Sequence, residues 1–102
     1  MTKAKSTPNA QRQAALAKLR EALRLPLLAR VVSRSPLDGE DPQFALVLHS
    51  GEEIFVGNAE ALLSQRRIQA LVAGRADRVI PRLKPAEWDQ VVQLMLDIHE
   101  RV

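Results

Sequence analysis

The spacing of hydrophobic positions along this chain changes from helical to alternating near Pro26. The residues before it include an apolar stripe at helical intervals, formed by Leu16, Leu19 and Leu23. Thr7-Pro8 is a favourable helix start, and Pro26 disfavours helical backbone in the residue before it. The pattern therefore predicts a helix over residues 8–24, preceded by a flexible basic tail at residues 1–6.

Three segments after Pro26 have the patterns of strands. Phe44 to Leu48 and Ile54 to Val56 are short apolar runs on either side of a turn at Ser50-Gly51. Residues 35–42 are rich in turn formers and predict a loop. The first strand pattern alternates, with Leu27, Ala29, Val31 and Ser33 on one face and Leu28, Arg30, Val32 and Arg34 on the other. Together these segments predict a three-stranded antiparallel meander.

The register of the hairpin follows from its apolar positions. A two-residue loop at Ser50-Gly51 would place Leu48 opposite Glu53 and mix apolar with polar positions on one face. A type I turn over His49-Ser50, with Gly51 in the left-handed conformation, avoids this mixture and pairs Leu46 with Ile54 and Phe44 with Val56. We therefore expect a positive φ at Gly51. The predicted core face of the hairpin consists of Phe44, Leu46, Leu48, Ile54 and Val56.

The remainder of the chain predicts further helices. Asn58 is a natural N-cap for a short helix over 59–63, and Ser64 for a helix from Gln65 to Ala73. Pro85 opens the last helix, whose predicted buried stripe is Trp88, Val91, Val92, Met95, Ile98 and Val102. The predicted fold is α+β: an N-terminal helix, the meander, and then two or three helices packed on one sheet face in a single domain over residues 7–102. A winged helix is the weaker alternative, because its recognition helices normally precede the hairpin.

Composition narrows the classes of protein. The chain has no Cys, which excludes disulfides, thiolate metal sites and a Cys nucleophile. Its longest apolar runs are far too short to span a membrane. The N-terminal residues 1–6 are basic with no apolar stretch behind them, which predicts no signal peptide. We therefore expect a cytoplasmic protein without a membrane partner.

The charges lie in blocks of alternating sign, and a formal net charge of +3 conceals them. Residues 1–34 carry +7, residues 35–64 carry −6, residues 65–84 carry +5 and residues 85–102 carry −3. Local fields of this size bear on the choice of partner more than on the fold.

Two basic regions are candidate nucleic-acid contacts. The first contains Arg66, Arg67, Arg75, Arg78, Arg82 and Lys84, and the second is the N-terminal arm with Lys3 and Lys5. Arg66 and Arg67 fall in the first turn of a predicted helix, where cations cost about 0.3–1 kcal/mol unless an anion binds there. The alternative is a solvated face whose cations pair with the acids of residues 35–64.

Few other residues suggest chemistry. His49 and His99 lack a metal-ligand spacing, and the acidic cluster at residues 38–41 lacks the spacing of a calcium loop. No catalytic motif occurs. We therefore predict no catalytic residue, no metal, no cofactor and no enzymatic activity. The chain has only three aromatic residues, so we expect no exposed aromatics for stacking bases, and any nucleic-acid contact would be made to the backbone of duplex DNA.

One stretch has a family resemblance. Phe44-Ala-Leu-Val-Leu-His-Ser-Gly-Glu-Glu-Ile-Phe-Val-Gly57, followed by Ala59-Glu-Ala-Leu-Leu63 and Lys84-Pro-Ala-Glu-Trp88, resembles small modules of replication proteins of phages and integrative elements, next to primase or helicase ATPase domains. The resemblance covers about residues 27–101. It implies a replication or mobile-element context, a larger replication protein as a partner, and no catalytic residue.

Two functions follow as hypotheses. The first is a small non-enzymatic accessory protein of a phage, plasmid or integrated element that contacts the nucleic-acid backbone through basic faces, tolerant of sequence. The second is a protein-interaction or self-association module with no nucleic-acid role. The distribution of charge in the folded protein distinguishes them: two basic blocks merged into one uninterrupted face favour nucleic acid, whereas acidic and basic patches that face opposite ways favour a heterologous protein contact.

Overall fold

A computed structural model describes residues 8–35, 37, 39–75 and 83–102. The fold is α+β, as predicted, with an N-terminal helix and a four-stranded mixed sheet in the order β3-β2-β1-β4. The elements of the described residues are α1 (Pro8–Leu23), β1 (Leu28–Arg34), β2 (Gln43–Leu48), β3 (Glu53–Gly57), α2 (Ala59–Leu62), α3 (Gln65–Val72), α4 (Pro85–Ile98) and β4 (Glu100–Arg101).

The end of α1 lies one residue before the predicted one. Arg24 has a φ of 53°, a left-handed conformation in which the helix cannot continue. Its N–H donates to Glu21 O at 3.2 Å, and the N–H of Leu25 donates to Arg20 O at 2.9 Å. These two bonds form a Schellman motif, which turns Leu25 into the core and directs the chain to β1.

The predicted three-stranded meander is incomplete. β1, β2 and β3 pair antiparallel, and β4 adds a fourth strand parallel to β1, with Glu100 opposite Val32. The prediction that the buried stripe of the last helix extends to Val102 is therefore wrong. The helix ends at Ile98, His99 is extended, and Val102 is 68% exposed. The N–H of Val102 donates to Ser33 O at 2.9 Å, so a pairing with a distant strand replaces the last helical turn.

The hairpin has the predicted turn and most of the predicted register. Gly51 has a φ of +94°, and Leu46 lies opposite Ile54, which confirms both expectations. Phe44, however, lies opposite Gly57 and not Val56, because the register shifts between Phe44 and Ala45. An irregularity of this kind places two residues of one strand opposite one residue of the other and bends the strand.

A second irregularity corrects the predicted faces of β1. The register of β1 against β2 shifts between Leu28 and Arg30. Strict alternation had put Leu28 and Val31 on opposite faces, but both belong to the main core cluster. The extra residue at the bulge, Ala29, reverses the alternation of the strand.

The main core lies between the helices and one face of the sheet. Trp88 is 4% exposed, which confirms its predicted burial, and its Nε1 donates to Leu62 O in α2 at 3.0 Å. The predicted caps are also confirmed, since Asn58 and Ser64 accept hydrogen bonds from the backbone N–H groups of Ala61 and Arg67. The buried helical side chains in this core include Leu16, Leu19, Leu23, Leu62, Ile68, Val72, Trp88, Val91, Val92, Met95 and Ile98. Among the described residues, no helix is long and apolar enough to cross a membrane.

Candidate functional site

The sheet has a second face, away from the main core, which we call the outer face. The registers align its side chains in rows across the strands: Val32, Ala45 and Phe55 form one row, and Arg30, Val47 and Glu53 form the next. Arg34 follows Val32 along β1, and the pairing of Val32 with Glu100 places Glu100 beside the first row. The outer face is therefore defined by Arg30, Val32, Arg34, Ala45, Val47, Glu53, Phe55 and Glu100.

The centre of the outer face is apolar. Val32, Ala45 and Val47 are buried and form a small cluster of their own, separate from the core that the helices cover. None of the helices in the described residues contributes a buried side chain to this cluster. Long side chains from the neighbouring strands therefore shield it from water.

An ion pair spans this apolar centre. Arg34 on β1 donates to both carboxylate oxygens of Glu53 on β3, at 2.6 and 2.9 Å. β2 lies between those two strands, so the pair crosses above Ala45. The hydrogen bond from Arg34 holds the pKa of Glu53 below its ordinary value, and the same bond raises the pKa of Arg34.

Phe55 is the exposed aromatic residue of the outer face. It is 56% exposed, so the expectation that the chain exposes no aromatic side chain is wrong. The signal was present in the sequence, because Ile54 and Val56 face the core and alternation then places Phe55 on the opposite side. An exposed phenylalanine beside a buried apolar cluster offers a contact area for a partner.

Two of the predicted basic residues, Arg67 in α3 and Arg75 in the turn after it, reach towards β3. Arg67 Nε donates to Val56 O at 2.9 Å, and its guanidinium lies 3.8 Å from the position that a Cβ on Gly57 would occupy. Arg75 contacts the other end of β3, where its Nη2 lies 2.7 Å from Glu52 Oε2. Arg67 therefore holds α3 against the sheet, and Arg75 pairs with an acid of the block at residues 35–64.

Two other predicted basic residues face solvent. Arg66 and Lys84 are exposed, and the side chain of neither has an ion pair with any described residue. Arg66 lines an open groove of about 690 Å³ between the starts of α3 and α4, together with Leu83 and Pro85. The other predicted contacts, Arg78, Arg82, Lys3 and Lys5, lie outside the described residues.

Acids and bases are interleaved over the described surface. Arg12 and Arg30 lie 3.5 and 4.0 Å from the carboxylate of Glu100, which is thus shared between α1 and β1. The Arg34–Glu53 and Arg75–Glu52 pairs likewise join cations of the basic blocks to acids of the adjacent block. The described residues match neither of the two predicted distributions, because their acidic and basic side chains adjoin in ion pairs.

Both histidines have structural contacts. The backbone N–H of His49 donates to Leu27 O at 2.9 Å and positions the hairpin turn. His99 Nδ1 lies 2.6 Å from Leu96 O, and its ring meets Phe44 edge-on at 5.2 Å between centroids. Because a carbonyl only accepts, His99 Nδ1 carries the proton of this bond. Over the described part of the chain, the acids and histidines form no cluster of three that could hold a metal.

The comparisons with known proteins find no family model, no curated protein and no solved structure that matches this chain. The resemblance to accessory modules of replication proteins therefore remains a hypothesis that rests on the quoted residues alone.

Proposed function

We propose that this chain is a non-enzymatic protein-interaction module that binds a partner protein through the outer face of its sheet. The observation that carries the proposal is the exposure of Phe55 beside the buried cluster of Val32, Ala45 and Val47. An aromatic side chain is costly to leave in water and gains most when a partner covers it, which is why aromatics are enriched at interfaces.

The charges of the outer face support a protein partner. Arg30 and Arg34 are balanced by Glu53 and Glu100, and each is within 4.0 Å of one of these acids. A surface that binds nucleic acid carries a net positive charge to follow the phosphates. A surface with both signs in fixed positions is suited to a protein with the complementary pattern.

A site-specific crosslink tests this proposal. A photoreactive phenylalanine analogue is placed at residue 55 and, as matched controls, at Leu27 and Leu63, which have the same 56% exposure as Phe55. After irradiation in cells, we expect a protein adduct from position 55 and none of the same mass from either control. Identical adducts from all three positions, or an adduct with nucleic acid at position 55, would contradict the proposal.

A second candidate is the accessory protein of a phage, plasmid or integrated element that contacts nucleic-acid backbone. It is favoured by Arg66 and Lys84, exposed cations without an ion-pair partner among the described residues. Arg66 lines a groove with Leu83 and Pro85, the neighbours of Lys84 in the chain. Arg75 would assist after releasing Glu52, together with the predicted contacts outside the described residues. Guanidinium and ammonium groups bind phosphate, and counterion release makes such binding weaken steeply with salt.

Fluorescence anisotropy with duplex and single-stranded DNA at two salt concentrations tests the second candidate. If it is correct, duplexes of unrelated sequence bind alike, and an Arg66→Ala, Lys84→Ala variant loses affinity equally for all of them. A variant with Arg12→Ala and Arg30→Ala removes the same charge elsewhere and serves as the control. If the protein does not bind DNA at low salt, the second candidate is wrong and only the protein-interaction proposal stands.

A further inference from the structure

The shape of the outer face limits what can cover it. Strands in a sheet lie about 4.8 Å apart, so β1 and β3 are separated by about 10 Å, close to the diameter of an α-helix. The six residues of β2 extend over roughly 20 Å, a length that about 13 helical residues match. The outer face therefore has the width and the length of one helix of about four turns.

The area of this face argues against a second copy of the chain. The strip between β1 and β3 projects to roughly 200–300 Å² from these spacings. Stable protein interfaces bury about 800 Å² on each partner. Two copies that met through this face alone would therefore not form a stable dimer, and a helix held by the same area would bind weakly, as transient contacts do.

The sizes of the side chains on the outer face indicate where a covering helix would lie. Ala45 is the smallest side chain of the central row, and Val32 and Phe55 stand on either side of it on the neighbouring strands. The row is thus lowest over β2 and rises at its β3 side, where Phe55 is exposed. A helix lying along β2 would place an apolar stripe over Ala45 and Val47 and cover Phe55 with its flank.

The two sides of this position differ in charge. On the β1 side, Arg30 and Arg34 outnumber the single acid Glu100 on the adjoining β4, and on the β3 side stands Glu53. The complementary helix carries acids along one flank and bases along the other. Without a partner, the Arg34–Glu53 pair covers the apolar centre of the face. A helix with both flanks charged would open this pair and supply a new ion-pair partner to each of the two residues.

We propose that the outer face binds an amphipathic helix of a partner protein, with an apolar stripe over β2, an acidic flank beside β1 and a basic flank beside β3. This inference rests on the proposed function and specifies its partner. The helix would add a second helical layer to the sheet, opposite the one formed by α1 to α4.

Defined peptides test the proposal. The probe is a helical peptide of about 14 residues with a leucine stripe, glutamates on one flank and lysines on the other. Two control peptides keep the stripe and carry glutamate or lysine on both flanks. We expect the mixed-flank probe to bind about tenfold more tightly than either control, a usual range for matched against mismatched charges.

Variants of the protein assign the binding to the outer face. Phe55→Ser should weaken binding of the mixed-flank probe by about tenfold or more, and Leu63→Ser, with the same native exposure, should leave it unchanged. Arg30→Glu with Arg34→Glu makes both flanks acidic, so the preference should move to the all-lysine peptide. Circular dichroism of each variant checks that it is folded.

The outcomes separate this inference from the proposed function. A protein crosslink at position 55 with equal binding of all three peptides would overturn the helix and leave the interaction module in place. If there is no protein crosslink at position 55 and no preferential binding of the mixed-flank probe, both proposals are overturned. If single-stranded DNA displaces the probe and this displacement depends on Phe55, the outer face binds nucleic acid and the helix proposal is overturned. If sedimentation shows a dimer that Phe55→Ser dissociates, the occupant is a second copy of the chain and the helix proposal is likewise overturned.

Discussion

Gly57 ends β3 at a position that favours glycine, because its backbone has a positive φ and there is too little space for a side chain. Its φ is +127°, and a Cβ there would lie 3.0 Å from Ala61 Cβ. We predict that Gly57→Ala lowers the free energy of unfolding by about 1–3 kcal/mol, because the backbone strain and the close approach to α2 add. Gly74→Ala is the matched control, since Gly74 does not have a positive φ and the space around its Cβ position is open. Chemical denaturation of both variants measures the difference, and an equal effect would refute this account.

Arg24 occupies the left-handed position after α1, where glycine is the usual residue. We predict that Arg24→Gly raises the free energy of unfolding by about 0.5–1 kcal/mol, because relief of left-handed strain exceeds the entropy that glycine adds to the unfolded chain. Lys18→Gly also replaces a long cationic side chain by glycine, at an exposed position inside α1, and should instead cost about 1 kcal/mol. If both substitutions destabilise alike, the strain at Arg24 is negligible.

The Arg34–Glu53 pair predicts a response to pH. The pKa of Glu53 is lower in the folded protein than in the unfolded chain, first because of the hydrogen bond from Arg34. Its stabilising contribution is therefore complete above the unfolded pKa and is lost as the pH falls through the folded pKa. We predict that Arg34→Gln raises the pKa of Glu53, as measured by NMR titration of its side-chain carboxyl carbon. Arg75→Gln removes a comparable partner from Glu52 and should leave the titration of Glu53 in place.

At the scale of elements, α3 is attached to β3 by Arg67. Its backbone N–H donates to Oγ of the N-cap Ser64 and its side chain donates to Val56 O, so one residue is bonded both to the cap of the helix and to the edge strand of the sheet. We predict that Arg67→Ala lowers the free energy of unfolding by about 1 kcal/mol. Arg66→Ala, one position earlier, should change it by less than about 0.5 kcal/mol. Urea denaturation distinguishes them, and a larger loss in Arg66→Ala would contradict the attachment.

The elements that local chemistry determines could be predicted from the sequence. The caps at Asn58 and Ser64, the left-handed Gly51 and the stripe around Trp88 depend only on residues a few positions apart. β4 could not, because its two residues become a strand only by pairing with Val32 and Ser33, far away in the chain. The two register shifts also escaped prediction, since nothing in the alternation of apolar residues marks a bulge at Ala29.

Some features of the candidate site could likewise be predicted from the sequence, and others depend on the fold. The outward position of Phe55 follows from the alternation of β3 and could have been predicted. The Arg34–Glu53 pair joins residues 19 positions apart across an intervening strand and depends on the strand order. The charge blocks are contiguous in sequence, but folding places Glu52 and Glu53 against arginines of the two basic blocks that flank them. A charge pattern along the chain therefore does not give the charge pattern of the surface.

At the scale of the whole molecule, the part of the chain that the structure describes forms one sheet with two different faces. Among the described residues, four helices cover the inner face, whereas charged side chains and Phe55 lie over the outer face. The helical layer explains how a chain with three aromatic residues forms a core, since leucine and valine from every helix meet there. No helix within the described ranges contributes a buried side chain to the outer face, and it is there that Phe55 is exposed.

The two faces predict opposite results for their aromatic residues. Trp88→Ala should lower the free energy of unfolding by about 3–5 kcal/mol, because it empties a large core volume and removes the bond from Nε1 to Leu62 O that joins α4 to α2. A domain of this size has about 5–15 kcal/mol in total, so such a variant would be largely unfolded on mild heating.

Phe55→Ala removes an aromatic ring from the outer face and should change the free energy of unfolding by less than about 0.5 kcal/mol. Thermal and urea denaturation of the two variants provide the measurement. If Phe55→Ala destabilises the isolated protein as strongly as Trp88→Ala does, Phe55 is a core residue and the outer face is not a binding surface. If only Trp88→Ala does so, the exposed ring contributes little to folding and is free to serve a partner.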